Sequence, residues 1–124
     1  MELVNSVRHI YDTSNMDSSS AVTHLTALAH ESRLGIFRLL VRSGPQGLCV
    51  SDIGSKFKIA PTTLSFHLKE LTQAKLIKAR QEGRFVYYSA DFKRMNALLR
   101  YLTEHCCEGQ PCEVPSESVT CQET

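Results

Sequence analysis

The apolar residues change period at Leu76, and this change restricts the fold more than any other feature of the chain. Before it, PTTLSFHLKELTQA places Leu64, Leu68 and Leu71 at i, i+4 and i+7, the spacing of one helix face. Pro61 suits the first turn of that helix, where its missing N–H costs nothing. After it, LIKARQEGRFVYYSA alternates apolar and polar residues on both sides of an EG pair. That alternation predicts a β-hairpin, about Leu76 to Gln81 and Arg84 to Ser89.

The rest of the chain fits around this pair. VSDIGSKF predicts a short helix with Ile53 and Phe57 turned inward, and KIA a turn into Pro61. SGPQG, residues 43–47, is a break, because Gly and Pro both resist helix. Two helices precede it. Val22, Leu25, Leu28 and Ala29 mark the face of the first, and Leu34, Phe37, Leu40 and Val41 that of the second. After the hairpin, DFKRMNALLRYLTEH carries a stripe of Phe92, Met95, Leu98, Leu99 and Leu102. Near the start, Leu3, Val4, Val7, Ile10 and Tyr11 suit a short amphipathic helix, and TSNMDSSS reads as a polar linker. The expected plan is an extension over residues 1–19, a domain over 20–105 and a tail over 106–124.

A short helix, a tight turn and a second helix with polar outward residues make a helix-turn-helix, and a hairpin directly after it makes a wing. The fold expected is mainly α with a small β-hairpin (α+β), a winged helix-turn-helix that dimerises through the first and last helices of the domain. Such a second helix is narrow enough to enter a DNA major groove. Its outward positions are read as Thr62, Thr63, Ser65, Phe66, His67 and Lys69, whose hydroxyls, imidazole and ammonium can meet bases or phosphates. Arg80 and Arg84, beside Gly83, are the wing's candidates for DNA contact. The charge agrees. The chain's net charge is only +1, yet residues 56–94 hold nine Lys or Arg against Glu70, Glu82 and Asp91. A local basic stripe is the footprint expected for nucleic acid. The apolar stripe of the last helix is too wide for one small core. It predicts a homodimer whose interface includes Leu25, Phe92, Met95, Leu99 and Leu102, with two recognition helices set on a two-fold operator. No phosphate-binding loop or nucleophile–base arrangement points to an enzyme.

No apolar run is long enough to span a membrane, and MELVNSVRHIYDTS lacks the apolar stretch of an export signal, so the expectation is a cytoplasmic protein with no membrane partner. Thiols stay reduced there, so the five cysteines are not a disulfide framework. Three of them, Cys106, Cys107 and Cys112, fall in the eight-residue stretch HCCEGQPC, at the end of the last helix. Residues 103–124 also carry five Glu and no Lys or Arg.

LAHESRLGIFRLLV, LCVSDI and APTTLSFHLKELTQAKLIKARQEGRFVYYSA, taken in order, resemble the ArsR/SmtB family of bacterial metalloregulatory repressors, from about Val22 to about Leu102. SFHLKEL is similar to the family's recognition helix, and GRFVYY to its second wing strand. The resemblance implies a dimeric repressor that binds an operator in its own promoter. It releases that operator when an inducer occupies a thiol or a carboxylate/imidazole site.

Three places could hold the inducer. The family's C-V-C pair reads here Cys49-Val50-Ser51, and a hydroxyl is a poor partner for soft ions. Cys49 is expected to be a small buried residue. The family's zinc site, Asp-x-His on the last helix, reads Asp91-Phe92-Lys93, and a cation cannot be a ligand. The remaining place is Cys106, Cys107 and Cys112. Gly109 and Pro111 should turn the chain so that Cys112 returns over the first two. Three sulfurs suit trivalent arsenic, or antimony, as a trigonal pyramid. Arsenous acid exchanges three hydroxyls for three thiols and releases three waters, leaving a neutral product that the acidic tail tolerates. The resemblance adds that one arsenite-responsive branch of the family places cysteines here. The expected inducer is As(III), with Sb(III) beside it and no catalytic cofactor. Two alternatives stay open: zinc or cadmium with Cys121 as a fourth ligand, and a thiol redox sensor. The acidic surroundings argue against the second.

Overall fold

The computed structural model describes residues 16–109. The predicted N-terminal helix and Pro111, Cys112 and Cys121 lie outside them. Helix α1 spans Ser18–Leu28 and is capped by Asp17, whose carboxylate accepts the Ser20 N–H at 2.9 Å. Its period is as expected, but its buried face is not. Ala21, His24 and Ala27 point inward, while Val22 and Leu25 stand 60% and 42% exposed. The small residues let α1 lie close to the core, and its larger apolar residues are left facing out. Helix α2, Glu31–Ser43, buries Ile36, Phe37 and Leu40 and leaves Leu34 exposed. Its N-cap is His30, whose Nδ1 accepts the Ser32 N–H.

The break at residues 43–47 does more than end α2. It leads into a two-residue strand β1, Leu48–Cys49, that the sequence does not signal, since two residues carry no alternation. β1 pairs antiparallel with the second hairpin strand, Leu48 opposite Tyr88 and Cys49 opposite Tyr87. The hairpin is therefore part of a three-stranded sheet, order β1-β3-β2. Its strands are β2, Ile77–Glu82, and β3, Phe85–Ala90. Both start one residue later than expected, because Gly83 and Arg84, rather than Glu82 and Gly83, form the two-residue turn. Gly83, at φ 65, takes the left-handed position that such a turn demands.

Between β1 and β2 lie α3, Val50–Phe57, and α4, Pro61–Gln73. Pro61 is the first residue of α4, as its chemistry predicts. Ile53, Leu64, Leu68 and Leu71 are at most 2% exposed and meet Ile36, Leu40 and Leu76 in one apolar cluster. Gly54 permits the close approach of α3 to α4: a Cβ there would sit 3.2 Å from Leu64 Cδ2. Helix α5, Phe92–Thr103, starts at Asp91, which accepts the Arg94 N–H at 3.1 Å and donates its own N–H to Leu76 O. Leu98 and Ala97 form a second small cluster with Met16 and Ala21. A 3-10 turn, Cys106–Gly109, follows α5.

Gly47 (φ 75) lies against β3, and a Cβ there would overlap the Tyr88 carbonyl. Gly44 (φ 81) is equally left-handed but has open space around it. Gly44→Ala should therefore cost only the backbone term, about 1–3 kcal/mol, because positive φ with extended ψ is a conformation almost reserved for glycine. Gly47→Ala should cost clearly more, because β1 must move away from β3. Urea midpoints of the two variants check this. Equal losses would mean that the contact at Tyr88 contributes nothing.

Candidate nucleic-acid interface and thiol cluster

The leucines of α4 fix which residues it shows to solvent. With Leu64, Leu68 and Leu71 inside, Thr62, Thr63, Ser65, Phe66 and Lys69 are exposed, as the sequence predicts. Ala60 supplies no side-chain cap, so the N–H groups of the first turn remain available to an anion such as phosphate.

His67 does not belong with these residues. It is 5% exposed and faces the protein, its ring 4.7 Å from that of His30. Its place in the helix, three residues after Leu64 and four before Leu71, puts it on the buried face; the expectation of an outward imidazole is corrected. The spacing alone carries that information, but the polarity of histidine masks it. His24 is buried in the same way at 3% exposure. Neither ring nitrogen of His24, nor Nδ1 of His67, has a hydrogen-bond partner among the described residues.

The wing cations differ from one another. Arg84 sits exposed at the tip of the turn. Arg80, expected as a second DNA contact, is engaged by the protein. Its Nε donates to Glu82 at 2.8 Å, its Nη2 donates to Gln46 O at 3.2 Å, and its guanidinium lies 5.2 Å from the Tyr87 ring centre. It braces the wing against the loop before β1. Eight of the nine cations between residues 56 and 94 are exposed, and among the described residues Arg80 alone of them is ion-paired. A largely unneutralised basic surface surrounds α4 and the wing.

The thiols lie apart from this surface in the fold. Cys106 and Cys107 share the 3-10 turn after α5, with their sulfurs 3.6 Å apart; Cys106 is half-buried and Cys107 exposed. Cys112 lies outside the described residues. No group of three or more metal-ligating side chains occurs among the described residues. Cys49 is half-exposed, contrary to the expected buried packing. Its sulfur lies 3.3 Å from Ser51 Oγ and 3.3 Å from Asp52 Oδ2, drawn outward by the start of α3.

The residues expected at a dimer interface divide. Leu25 and Leu102 are exposed and available. Phe92 and Met95 instead pack on their own core, because Asp91 turns the first turn of α5 toward the sheet. Leu99 lines an apolar groove of about 380 Å³ with Leu28, Leu34, Phe37, Val41 and Met95. Val22 and Leu34, read from the sequence as inward, add to the exposed apolar surface.

The comparisons with known proteins agree with this geometry. Residues 28–80 match a helix-turn-helix domain family. A transcriptional repressor SmtB homolog from Synechocystis is 36% identical over 84 residues, covering 68% of this chain and 61% of that protein. The arsenical resistance operon repressor of Bacillus subtilis is 37% identical over 81 residues, covering 65% of this chain and 73% of that protein. The chain belongs to the ArsR/SmtB family. Among solved structures, a homodimeric winged helix-turn-helix DNA-binding domain from Mycobacterium bovis superposes with a TM-score of 0.56 at 27% identity, covering 77% of this chain and 89% of that one. The ArsR/SmtB relatives are transcriptional regulators, not enzymes, and no helix among the described residues is long and apolar enough to cross a membrane.

In this ArsR/SmtB chain the two buried histidines resist protonation. Burial holds His67 below the ordinary histidine pKa, and the neighbouring His30 and Arg33 push the same way. Burial also lowers His24, helped by Arg94 and opposed by Asp91. Well above about pH 6.5 both rings are neutral whether the chain is folded or not. Below it, the unfolded chain takes up protons that the folded chain resists, so stability falls until the folded pKa is reached. The urea midpoint should therefore drop between about pH 7.5 and about pH 5.5. His67→Leu and His24→Leu should each flatten the drop. A drop that neither variant changes would assign the titration to other groups.

Proposed function

We propose that this chain is a homodimeric operator-binding repressor, released when trivalent arsenic binds Cys106, Cys107 and Cys112. In this reading α4 enters the major groove, with Thr62, Thr63, Ser65 and Lys69 at bases and phosphates, and Arg84 reaches phosphate from the wing. Arg80 acts one step removed, by holding the wing in place. The exposed apolar residues of α1 and α5, Leu25 and Leu102 with Val22 and Leu99 beside them, are the surface on which two copies join. Residues 20–105 act as the binding and dimerisation domain and 106–124 as the sensor tail.

The observation that carries the sensor is the pair of sulfurs 3.6 Å apart just beyond α5. Two sulfurs on one ion with bonds of about 2.3 Å lie at most about 4.6 Å apart, so this pair can bind one centre without rearrangement. Three thiols replace the three hydroxyls of arsenous acid, three waters leave, and the product is neutral. The five glutamates from residue 103 onward then cost the complex little, whereas zinc on three thiolates would place a net negative charge beside them. The chain's likeness to an arsenical resistance operon repressor supports the same inducer. Antimony(III) has the same valence and lone pair and should act similarly. Only Glu104 and His105 separate the turn from α5, so closing the tail over it acts at the end of the helix on which the dimer is built. A coupling of roughly 1–3 kcal/mol suffices for substantial release. The sulfur pair also suits the competing reading, a disulfide switch, which peroxide rather than arsenite would operate.

The test is fluorescence anisotropy of a labelled duplex from the gene's own upstream region. Arsenite should lower the anisotropy of the wild-type complex. Cys106→Ser, Cys107→Ser and Cys112→Ser should each abolish that response and leave DNA binding intact. A normal response in the Cys112 variant would reduce the site to two thiols. Release by peroxide but not by arsenite would favour the disulfide.

The same duplex separates the cations. Removing one phosphate-binding cation makes the slope of log K against log salt shallower by about 0.9. Lys69→Ala and Arg84→Ala should each show that change. Arg80→Ala should weaken binding with the slope unchanged, because it removes a brace and not a cation at a phosphate.

A further inference from the structure

The outermost stripe of α4 contains an aromatic residue that repression and arsenic sensing leave without a task. At 100° per residue, the buried Leu64, His67, Leu68 and Leu71 centre on one side of the helix. The stripe directly opposite is Thr62, Phe66, Lys69 and Gln73, spaced i, i+4, i+7 and i+11. All four are exposed, and Phe66 stands in the middle of the stripe at 55%. Its one ring neighbour among the described residues is His67, 6.0 Å away on the same helix. Leaving more than half a phenyl ring in water is unfavourable, and nothing in the fold requires it.

We infer that Phe66 reads the C5-methyl group of thymine in the major groove, and so sets which operators this chain accepts. This rests on the proposal that α4 enters that groove. The chemistry leaves little choice of target. A phenyl ring has no hydrogen-bond donor or acceptor for a base edge, and it cannot neutralise a phosphate. The thymine methyl is the one apolar group that base pairs present in the major groove. Thr62, one turn earlier on the same stripe, adds its own methyl, so the two form an apolar spot inside a polar, basic surface. That spot should demand thymine at a fixed place in each half-site. Lys69, one turn later, gives binding strength that does not depend on sequence.

The experiment works without a known operator. A library of duplexes with a randomised centre is selected on the full-length protein, and the enriched duplex is then remade with uracil in place of each thymine in turn. Uracil keeps every hydrogen-bonding group and removes only the methyl. At one position per half-site, uracil should weaken wild-type binding about fourfold, the factor for one buried methyl group. Phe66→Ala should bind the thymine and uracil duplexes equally, and Phe66→Leu should recover part of the difference. If uracil costs the wild type nothing at any position, or costs Phe66→Ala as much as the wild type, Phe66 does not read thymine and the inference falls while DNA binding stands. If the selection enriches no sequence and binding does not weaken with salt, the DNA-binding reading itself fails and takes the inference with it.

Discussion

The burial of one stripe of α4 determines what the rest of the molecule can present. Leu64, Leu68 and Leu71 are almost wholly removed from water, each stabilising the fold by roughly 1.5–3 kcal/mol. Rotating α4 by one residue about its axis would expose at least Leu64 and bring polar residues inward, so the helix has a single orientation. The partners of these leucines come from every other part of the domain: Ile36 and Leu40 from α2, Ile53 from α3, Leu76 at the edge of the sheet. The absence of a side chain at Gly54 brings α3 within contact of Leu64. The exposed face of α4 is thus oriented from behind, which is how a surface can be both solvent-exposed and well defined.

Much of this is legible in the sequence because it depends on period. The 3.6-residue spacing of α4, the alternation of the wing, and the Gly and Pro at the end of α2 each imply one local structure. What the sequence hides depends on contacts between elements. β1 is two residues long and exists only because Gly47 lets the chain lie against Tyr88. His67 has the chemistry of a surface residue and the position of a core residue, and position prevails. On α1 two faces are equally periodic. The choice of Ala21, His24 and Ala27 over Val22 and Leu25 follows from how closely α1 approaches α5, which no single helix encodes. Arg80 lies on the wing, as the alternation implies, but its partners Gln46 and Tyr87 come from other elements and no local pattern announces them.

The charge distribution separates the two halves of the candidate function. Cations concentrate around α4 and the wing, where a polyanion would be met. In the sequence, the five Glu from residue 103 onward accompany the thiols, and the proposed neutral metalloid hydroxide would lose no affinity to them. Placing the acidic segment on the basic one would have neutralised both. In the sequence, α5 lies between them. Its first turn packs on the core that holds α4, and its last turn leads to the sulfurs. In the proposed mechanism, a change at one end would pass along this helix toward the other.

Neither apolar cluster includes Cys106 or Cys107. The sulfur-bearing turn lies beyond the end of α5 and outside both clusters, so its residues can change without loss of the packing that orients α4. A lineage could exchange these thiols for imidazoles or carboxylates, or lose them, and still keep an intact DNA-facing module. On the proposed reading, such a chain is free to acquire new chemical senses by drift in a few residues beyond α5, while the exposed face of α4 stays under the strict control of packing.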